Sequence, residues 1–429
     1  MTMKTEVFIS IYLDTRRKKS NGKYPVKLRV FSSYPRKQKF YPTTFEFTEK
    51  EFESIWLTAR PRNEYKDIRN DIISIEKKAI SIYNGLTHFT FEKFEKKLFI
   101  DAVDRENVFY YYEDSIKRLK DNDQIGTANT YELSMRSLKH FVEFIDRKDN
   151  VKTLQFSEIT PIWLERFEKF MTESHKDKEG NIVKEKSRTT VSIYLRALRS
   201  IYNLAIKGGE IKTEIYPFGK GKYQIPSVKK VKKALNAVQL KKLFEVKPVK
   251  SEQEKARDFW FFSFVCNGMN VKDIALLKYK DLNEDSFSFY REKTKRTAKK
   301  DLIPVIVYLN DFSLMVIQKY GNVNMNPNDY VFPIINDSMK AEEKFNKTKN
   351  FTRFINQNVK KLATELGISS NISSIWGRHS FSTTAIRKGY GIEFVNEALN
   401  HSDLKTTQGY FAGFENEEKR ELSGKLLDF

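Results

Sequence analysis

Apolar residues return at three- and four-residue steps through the middle of this chain, and that period limits its fold more than any other feature. Tyr131, Met135, Leu138, Val142 and Ile145 fall on one helical face. Val191, Leu195, Leu198, Ile201 and Ala205 form another, which Gly208-Gly209 stops. Between them, Thr160-Pro161 offers an N-cap with proline at the first helical position, leading into Trp163, Leu164, Phe167 and Met171. The spacing predicts a helical domain over 106–209, with the stripes as its core. The polar connector 176–187 reads as a loop or hairpin before the last helix.

The period differs at the N-terminus. Residues 1–105 read as a small separate module. Val7 to Leu13, Tyr24 to Phe31 and Lys39 to Pro42 carry β-type residues, several in alternation. Asn21-Gly22 favours a turn between the first two strands, and Phe45–Trp56 and Tyr65–Asn84 read as helices. After the helical domain, 210–234 is basic and broken by Pro217 and Pro226, the composition of an interdomain linker. A last domain occupies 235–429, with helices at Leu240–Phe244 and Ala256–Val265. The class is mainly α with small β-sheets, an α+β chain.

Composition narrows the partners. A formal charge of +21 over 429 residues calls for a polyanion, because lysine and arginine that neutralise phosphates release counterions. No long basic amphipathic helix stands apart to suggest a membrane surface. The single cysteine, Cys266, allows no internal disulfide and no cysteine-rich zinc site, and it reads as core. No apolar run approaches the ~20 residues of a membrane span, so a soluble, intracellular chain is expected.

Chemistry concentrates between Trp376 and Phe411. Arg378, His401 and Tyr410 are spaced so that a compact helical fold can bring them to one point. Arginine alone offers a planar, permanently charged fork that matches two phosphate oxygens. Histidine can bind a third oxygen or move a proton near neutral pH. A phenol, with a pKa of roughly 10, becomes a nucleophile only where positive neighbours stabilise its anion. Together the three suit attack on a phosphodiester.

These residues also carry a resemblance. Arg378-His379-Ser-Phe-Ser-Thr resembles the arginine-centred motif of the tyrosine recombinases, the phage-type integrases. Leu399-Asn400-His401-Ser402 through Thr406-Thr407-Gln408-Gly409-Tyr410 is similar to their Leu-Gly-His … Thr-Thr-x-x-Tyr ending. The resemblance implies an enzyme of a mobile element that integrates, excises or inverts DNA. Its tyrosine, here Tyr410, becomes linked to a 3′-phosphate without metal, ATP or any other cofactor. It also implies an arm-binding-like sheet at 1–105, a core-binding (SAM-like) domain at 106–209 and a catalytic domain at 235–429. DNA contacts would then come from Arg16, Arg17, Lys18 and Lys19, and from Lys186, Arg188, Thr189 and Arg196.

The chain departs from the family pattern twice. Asn267 to Leu282 is similar to a segment whose arginine is replaced here by Asn270, and Ile375 stands where many relatives have His or Lys. Phe287–Lys295 and Asp301–Val305 read as a β-hairpin that puts Arg291, Lys293 and Lys295 on one face. Lys293 would protonate the departing oxygen, Arg291 would stand in for the missing arginine, and Lys295 would grip DNA. His379 packs beneath Arg378 or joins the site, and Thr406-Thr407 would cap the helix presenting Tyr410. The tail's Leu422, Leu426, Leu427 and Phe429 would fold back on their own domain or, as the resemblance implies, dock on a neighbouring protomer in a homotetramer on double-stranded DNA. DNA-bending or directionality proteins would assist it in a bacterial cytoplasm, at the nucleoid. Two rivals remain: a DNA-binding protein of this fold whose site has decayed, and a type IB topoisomerase.

Overall fold

The computed structural model describes residues 6–86, 88–99, 102–147, 149–177, 179–227, 233–295, 303–401, 403–414 and 416–425. Lys229, Lys230 and Lys232 of the basic linker, Ser402, and Leu426, Leu427 and Phe429 of the tail lie outside them. The chain divides into two units, 1–115 with 131–225 and 116–130 with 226–429.

In the first unit, β1 (Val7–Leu13), β2 (Tyr24–Ser33) and β3 (Arg36–Phe47) form an antiparallel sheet in that order. Alternation decides its faces: Val26, Leu28 and Val30 are buried, and the Lys66–Asn84 helix covers that side with Ile72 and Ala79. The opposite face pairs Tyr12 with Lys27 and Arg29 with Phe40. Phe45–Phe47 finish β3 rather than begin a helix, because Phe47 still pairs with Tyr24. The helical turn starts after Thr48, whose side chain caps it reciprocally with Glu51.

Four helices follow at Val108–Asp121, Ile125–Asp146, Pro161–Thr172 and Arg188–Gly208. Thr160 caps the third, and Gly209, at φ 71°, ends the fourth in the left-handed conformation that a Cβ disfavours. The stripes are buried except at Tyr131, Met135 and Trp163, which are half-buried, and Ile145, which is exposed; Phe141 takes the inward place beside Phe167. The connector carries a two-residue hairpin pairing His175–Lys176 with Ile182–Val183.

The second unit is organised on the Ser251–Val265 helix, which packs against Ala341–Glu365 and Ser374–Arg387. Its Phe259, Trp260 and Phe262 are fully buried, and the Trp260 indole donates to the Ser373 carbonyl just before the Ser374–Arg387 helix. That bond fixes where the helix starts, and so where its second turn points. Cys266 is buried, as the sequence suggested, and Trp376 packs on the same core. β4 (Ser286–Phe289) and β5 (Val305–Tyr308) pair antiparallel with Phe287 and Val307 turned inward. The tail forms a helix over Asn416–Lys425.

A candidate phosphodiester site around Arg378

Arg378 sits on the second turn of the Ser374–Arg387 helix, 3% exposed. Its position depends on Gly268, which has φ +63° and lies so close that an added Cβ would fall 2.8 Å from Arg378 Cγ and 2.9 Å from its Cα. Arg378 Nη1 donates to the Gly268 carbonyl at 2.9 Å. Nη2 donates to the Leu399 carbonyl and lies 3.1 Å from His401 Nε2. Its Nε is buried with no hydrogen-bond partner among the described residues.

Arg291 arrives at the same place from another element. The sequence put Arg291, Lys293 and Lys295 on one strand face, but β4 stops at Phe289 and Glu292–Lys295 turns helical. Arg291 is therefore swung inward, 7% exposed, while Lys293 and Lys295 stay exposed on the turn. Its Nη1 reaches the carbonyls of Asn400 (3.3 Å) and Leu399 (3.5 Å), and its Nε is also buried with no partner among the described residues. Two guanidiniums thus approach one carbonyl. Burial lowers the proton affinity of Arg378, and the Arg291 charge lowers it further; Tyr410 and Asp273 act the other way.

Asp273, which the sequence did not single out, balances this charge. It is 5% exposed, and its oxygens accept from the Glu292 backbone N–H (3.0 Å) and Asn270 Nδ2 (3.4 Å). Burial raises its pKa against those donors and the two arginines. Asn270, half-buried at the start of the Val271–Leu276 helix, thus orients Asp273, and the Glu292 bond ties down the turn that carries Arg291.

The C-terminal motif closes the site. The cap of the Leu404–Gln408 helix is Asp403, whose side chain accepts from Lys405 N, in place of the expected threonines. Thr407 is instead fully buried inside that helix, bonded to His401 Nδ1 at 2.9 Å and to Asn396 Oδ1 at 2.6 Å. Tyr410 follows, half-buried. Its ring stacks on His379 (centroids 4.4 Å, 23°), lies 5.0 Å from the His401 ring, and has the Arg378 guanidinium 5.6 Å from its centroid.

The other expected contacts lie in the first unit. Lys186, Arg188, Thr189 and Arg196 are exposed on and before the Arg188–Gly208 helix. Arg16, Arg17, Lys18 and Lys19 are exposed in the loop between β1 and β2, although Arg16 is held by Asp14 and Lys19 pairs with Glu46. Among the described residues no helix is long and apolar enough to cross a membrane.

Comparison with known proteins agrees with this architecture. Residues 107–225 match the phage integrase SAM-like domain, and 233–417 match the phage integrase family. The chain is 28% identical over 168 residues to the tyrosine recombinase XerA of Pyrococcus horikoshii, covering 39% of this chain and 54% of that relative. It is thus matched over only about half of that relative's length. It is 25% identical over 298 residues to the tyrosine recombinase XerD of Listeria monocytogenes, covering 66% and 88% of the two chains. Among solved structures, the Tn1549 transposon integrase in complex with a circular intermediate DNA is similar at TM-score 0.49 and 15% identity, over 75% of this chain and 99% of that one. XerH site-specific recombinase bound to a palindromic difH substrate is similar at TM-score 0.47 and 17% identity, over 83% and 94%. With both domain models matched in chain order, the chain belongs to the phage integrase family, the tyrosine recombinases.

Proposed function

We propose that this chain is a site-specific DNA recombinase that cuts and rejoins strands through a 3′-phosphotyrosine at Tyr410. The observation that carries this reading is the pair of buried guanidiniums, Arg291 and Arg378, meeting at one backbone carbonyl beside an imidazole and a half-buried phenol. Like charges repel, and each arginine retains a buried Nε with no partner among the described residues. A phosphodiester answers both needs, since its oxygens accept from several donors at once.

In this mechanism Tyr410 Oη attacks phosphorus in line. The Oη–P bond forms as the P–O5′ bond breaks, the phenol gives up its proton, and Lys293 donates one to the departing 5′-oxygen. Arg378, His401 and Arg291 hold the non-bridging oxygens as charge develops, a stabilisation worth about 10²–10³-fold per donor in comparable sites. Arg291 supplies the charge that Asn270 lacks, and His379 supports the tyrosine by stacking. The phosphotyrosine conserves the bond energy. A 5′-hydroxyl from a partner duplex then re-forms P–O5′, returns its proton to Lys293 and releases Tyr410, with no ATP or metal.

The wider assembly belongs to the same reading. Double-stranded DNA is held by the sheet module through Arg16, Arg17, Lys18 and Lys19. The helical domain contributes Lys186, Arg188 and Arg196, and the catalytic domain Lys295. In this reading the domain limits are 1–105, 106–209 and 235–429, with 210–234 as a basic linker. Four protomers, tails exchanged, recombine two duplexes in the cytoplasm at the nucleoid, aided by DNA-bending or directionality proteins. The names of the matched relatives, tyrosine recombinases, support the recombinase activity on which this assembly rests.

The test begins with Tyr410→Phe, which binds but cannot cut, used to select its DNA from a random pool. A nicked duplex of that sequence should trap a covalent adduct with the unaltered chain on a denaturing gel, and none with Tyr410→Phe. Binding without an adduct would leave a DNA-binding protein with a silent site, the rival that Asn270 and Ile375 favour. Relaxation of plasmid lacking the selected site would indicate a topoisomerase.

A further inference from the structure

We propose that Thr407 and Asn396 are positioning residues that hold His401 in the Nδ1–H tautomer, so that Nε2 is the proton acceptor for the Tyr410 phenol. The assignment follows from donor and acceptor capacity, followed inward from both ends of one hydrogen-bonded chain. Asn396 Nδ2 donates to the His401 carbonyl at 2.9 Å, which turns Oδ1, an acceptor only, toward Thr407. The Thr407 hydroxyl lies 2.6 Å from that oxygen, so its single proton goes there. Thr407 Oγ1 can then only accept from His401 Nδ1, 2.9 Å away, and Nδ1 must carry a hydrogen. At the other end, Nε2 faces Arg378 Nη2 at 3.1 Å, and a guanidinium has donors alone. Nε2 therefore presents its lone pair. Both ends require the same tautomer, and the chain is sealed: Thr407 is fully buried and His401 is 8% exposed.

This has a consequence for the reaction, and that half of the inference rests on the recombinase reading. A neutral Nε2 cannot donate to phosphate. When DNA engages Arg378, the lone pair can take the Tyr410 Oη proton as the Oη–P bond forms. The new Nε2–H then donates to a phosphate oxygen, and Nδ1–H keeps its acceptor throughout. On rejoining, the proton returns to Tyr410. Ile375 offers no base of its own, so His401 takes that task.

Nitrogen-15 spectra of the histidines in the full chain without DNA test the tautomer directly. The chain has 5 histidines, and His401→Gln identifies the relevant signals by their loss. Near pH ~8.5, about two units above an ordinary imidazole, His401 should show protonated Nδ1 and bare Nε2. Thr407→Val should shift it toward the other tautomer, and Thr407→Ser should not. An Nε2–H pattern in the unaltered chain overturns the proposal, even if the chain recombines DNA. In single-turnover cleavage of a nicked duplex, Thr407→Val should slow the rate on the order of 10²-fold with DNA affinity unchanged. Thr407→Ser should recover most of it. Equal slowing by both variants would mean that the hydroxyl serves packing and the tautomer has no catalytic role.

Discussion

Two aspartates, one in each unit, each sit near two cations, and their pKa values move in opposite directions. Asp14, at the end of β1, is gripped by Arg16 Nε (2.7 Å) and Nη2 (2.8 Å) and by Lys27 Nζ (2.7 Å), which together hold its carboxyl well below the usual range. Asp273 touches neutral donors, the Glu292 amide and Asn270, while Arg291 and Arg378 act on it from a distance, and burial pushes it up. The difference teaches what each group of charges is for. Around Asp14 the carboxylate bonds both cations directly and fastens the residues after β1 to β2. Around Asp273 the carboxylate tempers the repulsion of two arginines without occupying their forks. The forks donate instead to the backbone carbonyls of Gly268, Leu399 and Asn400.

The largest expected effect tests that contrast with one conservative change made twice. Arg378→Lys keeps the charge but removes the fork, and single-turnover cleavage of a nicked duplex should fall on the order of 10²-fold or more. Arg16→Lys keeps the charge on an exposed group and should leave the cleavage rate unchanged and stability little altered. Cleavage by Arg378→Lys near the unaltered rate would erase the distinction between the two clusters.

A smaller effect sharpens it. Arg291→Ala should slow cleavage by about 10²-fold if it supplies the charge that Asn270 lacks. Asp273→Asn should cost less, about tenfold, because the amide still accepts from Glu292 N while the arginines lose their counter-charge. Protonating Asp273 should act as that substitution does. Its folded pKa is raised, so cleavage by the unaltered chain should decline on the acid side at a pH above the ordinary ~3.9 of aspartate. Asp273→Asn should show a flatter acid limb. An acid limb identical in the two proteins would remove Asp273 from the site.

The sequence revealed different things in different places, for physical reasons. The His401-to-Tyr410 step, the helical stripes and the Thr160 and Gly209 stops were readable because each depends on residues close in the chain. The end of β4 was not. Alternation of Arg291, Lys293 and Lys295 looks the same whether the strand continues or breaks, and the break is set by carbonyls at Leu399 and Asn400, over a hundred positions away. Thr407 misled in the same manner. A threonine beside a short helix reads as a cap, and only the fold brings His401 and Asn396 to its hydroxyl. The hold of Asp14 on Arg16 and Lys27 was not readable, because only the pairing of β1 with β2 brings Lys27 to the residue that follows β1.

The smallest effect concerns that loop and tests the other side of the comparison. Because the folded pKa of Asp14 is depressed, its contribution to stability is present above the unfolded value of ~3.9 and is lost as pH falls toward the folded value. Hydrogen exchange of the β1 and β2 amides, corrected for the intrinsic pH dependence of exchange, should therefore show protection declining below about pH 4. Asp14→Asn should lower protection at neutral pH and remove this share of the acid dependence. It should also release Arg16 and Lys27, so that non-specific DNA affinity rises at low salt and falls more steeply as salt is added. If instead Asp14→Asn left both protection and salt dependence untouched, the two cations would not be held by Asp14 in solution. The sheet module would then present them to DNA much as the catalytic site presents Arg291 and Arg378, and the two carboxylates would no longer mark two different uses of charge.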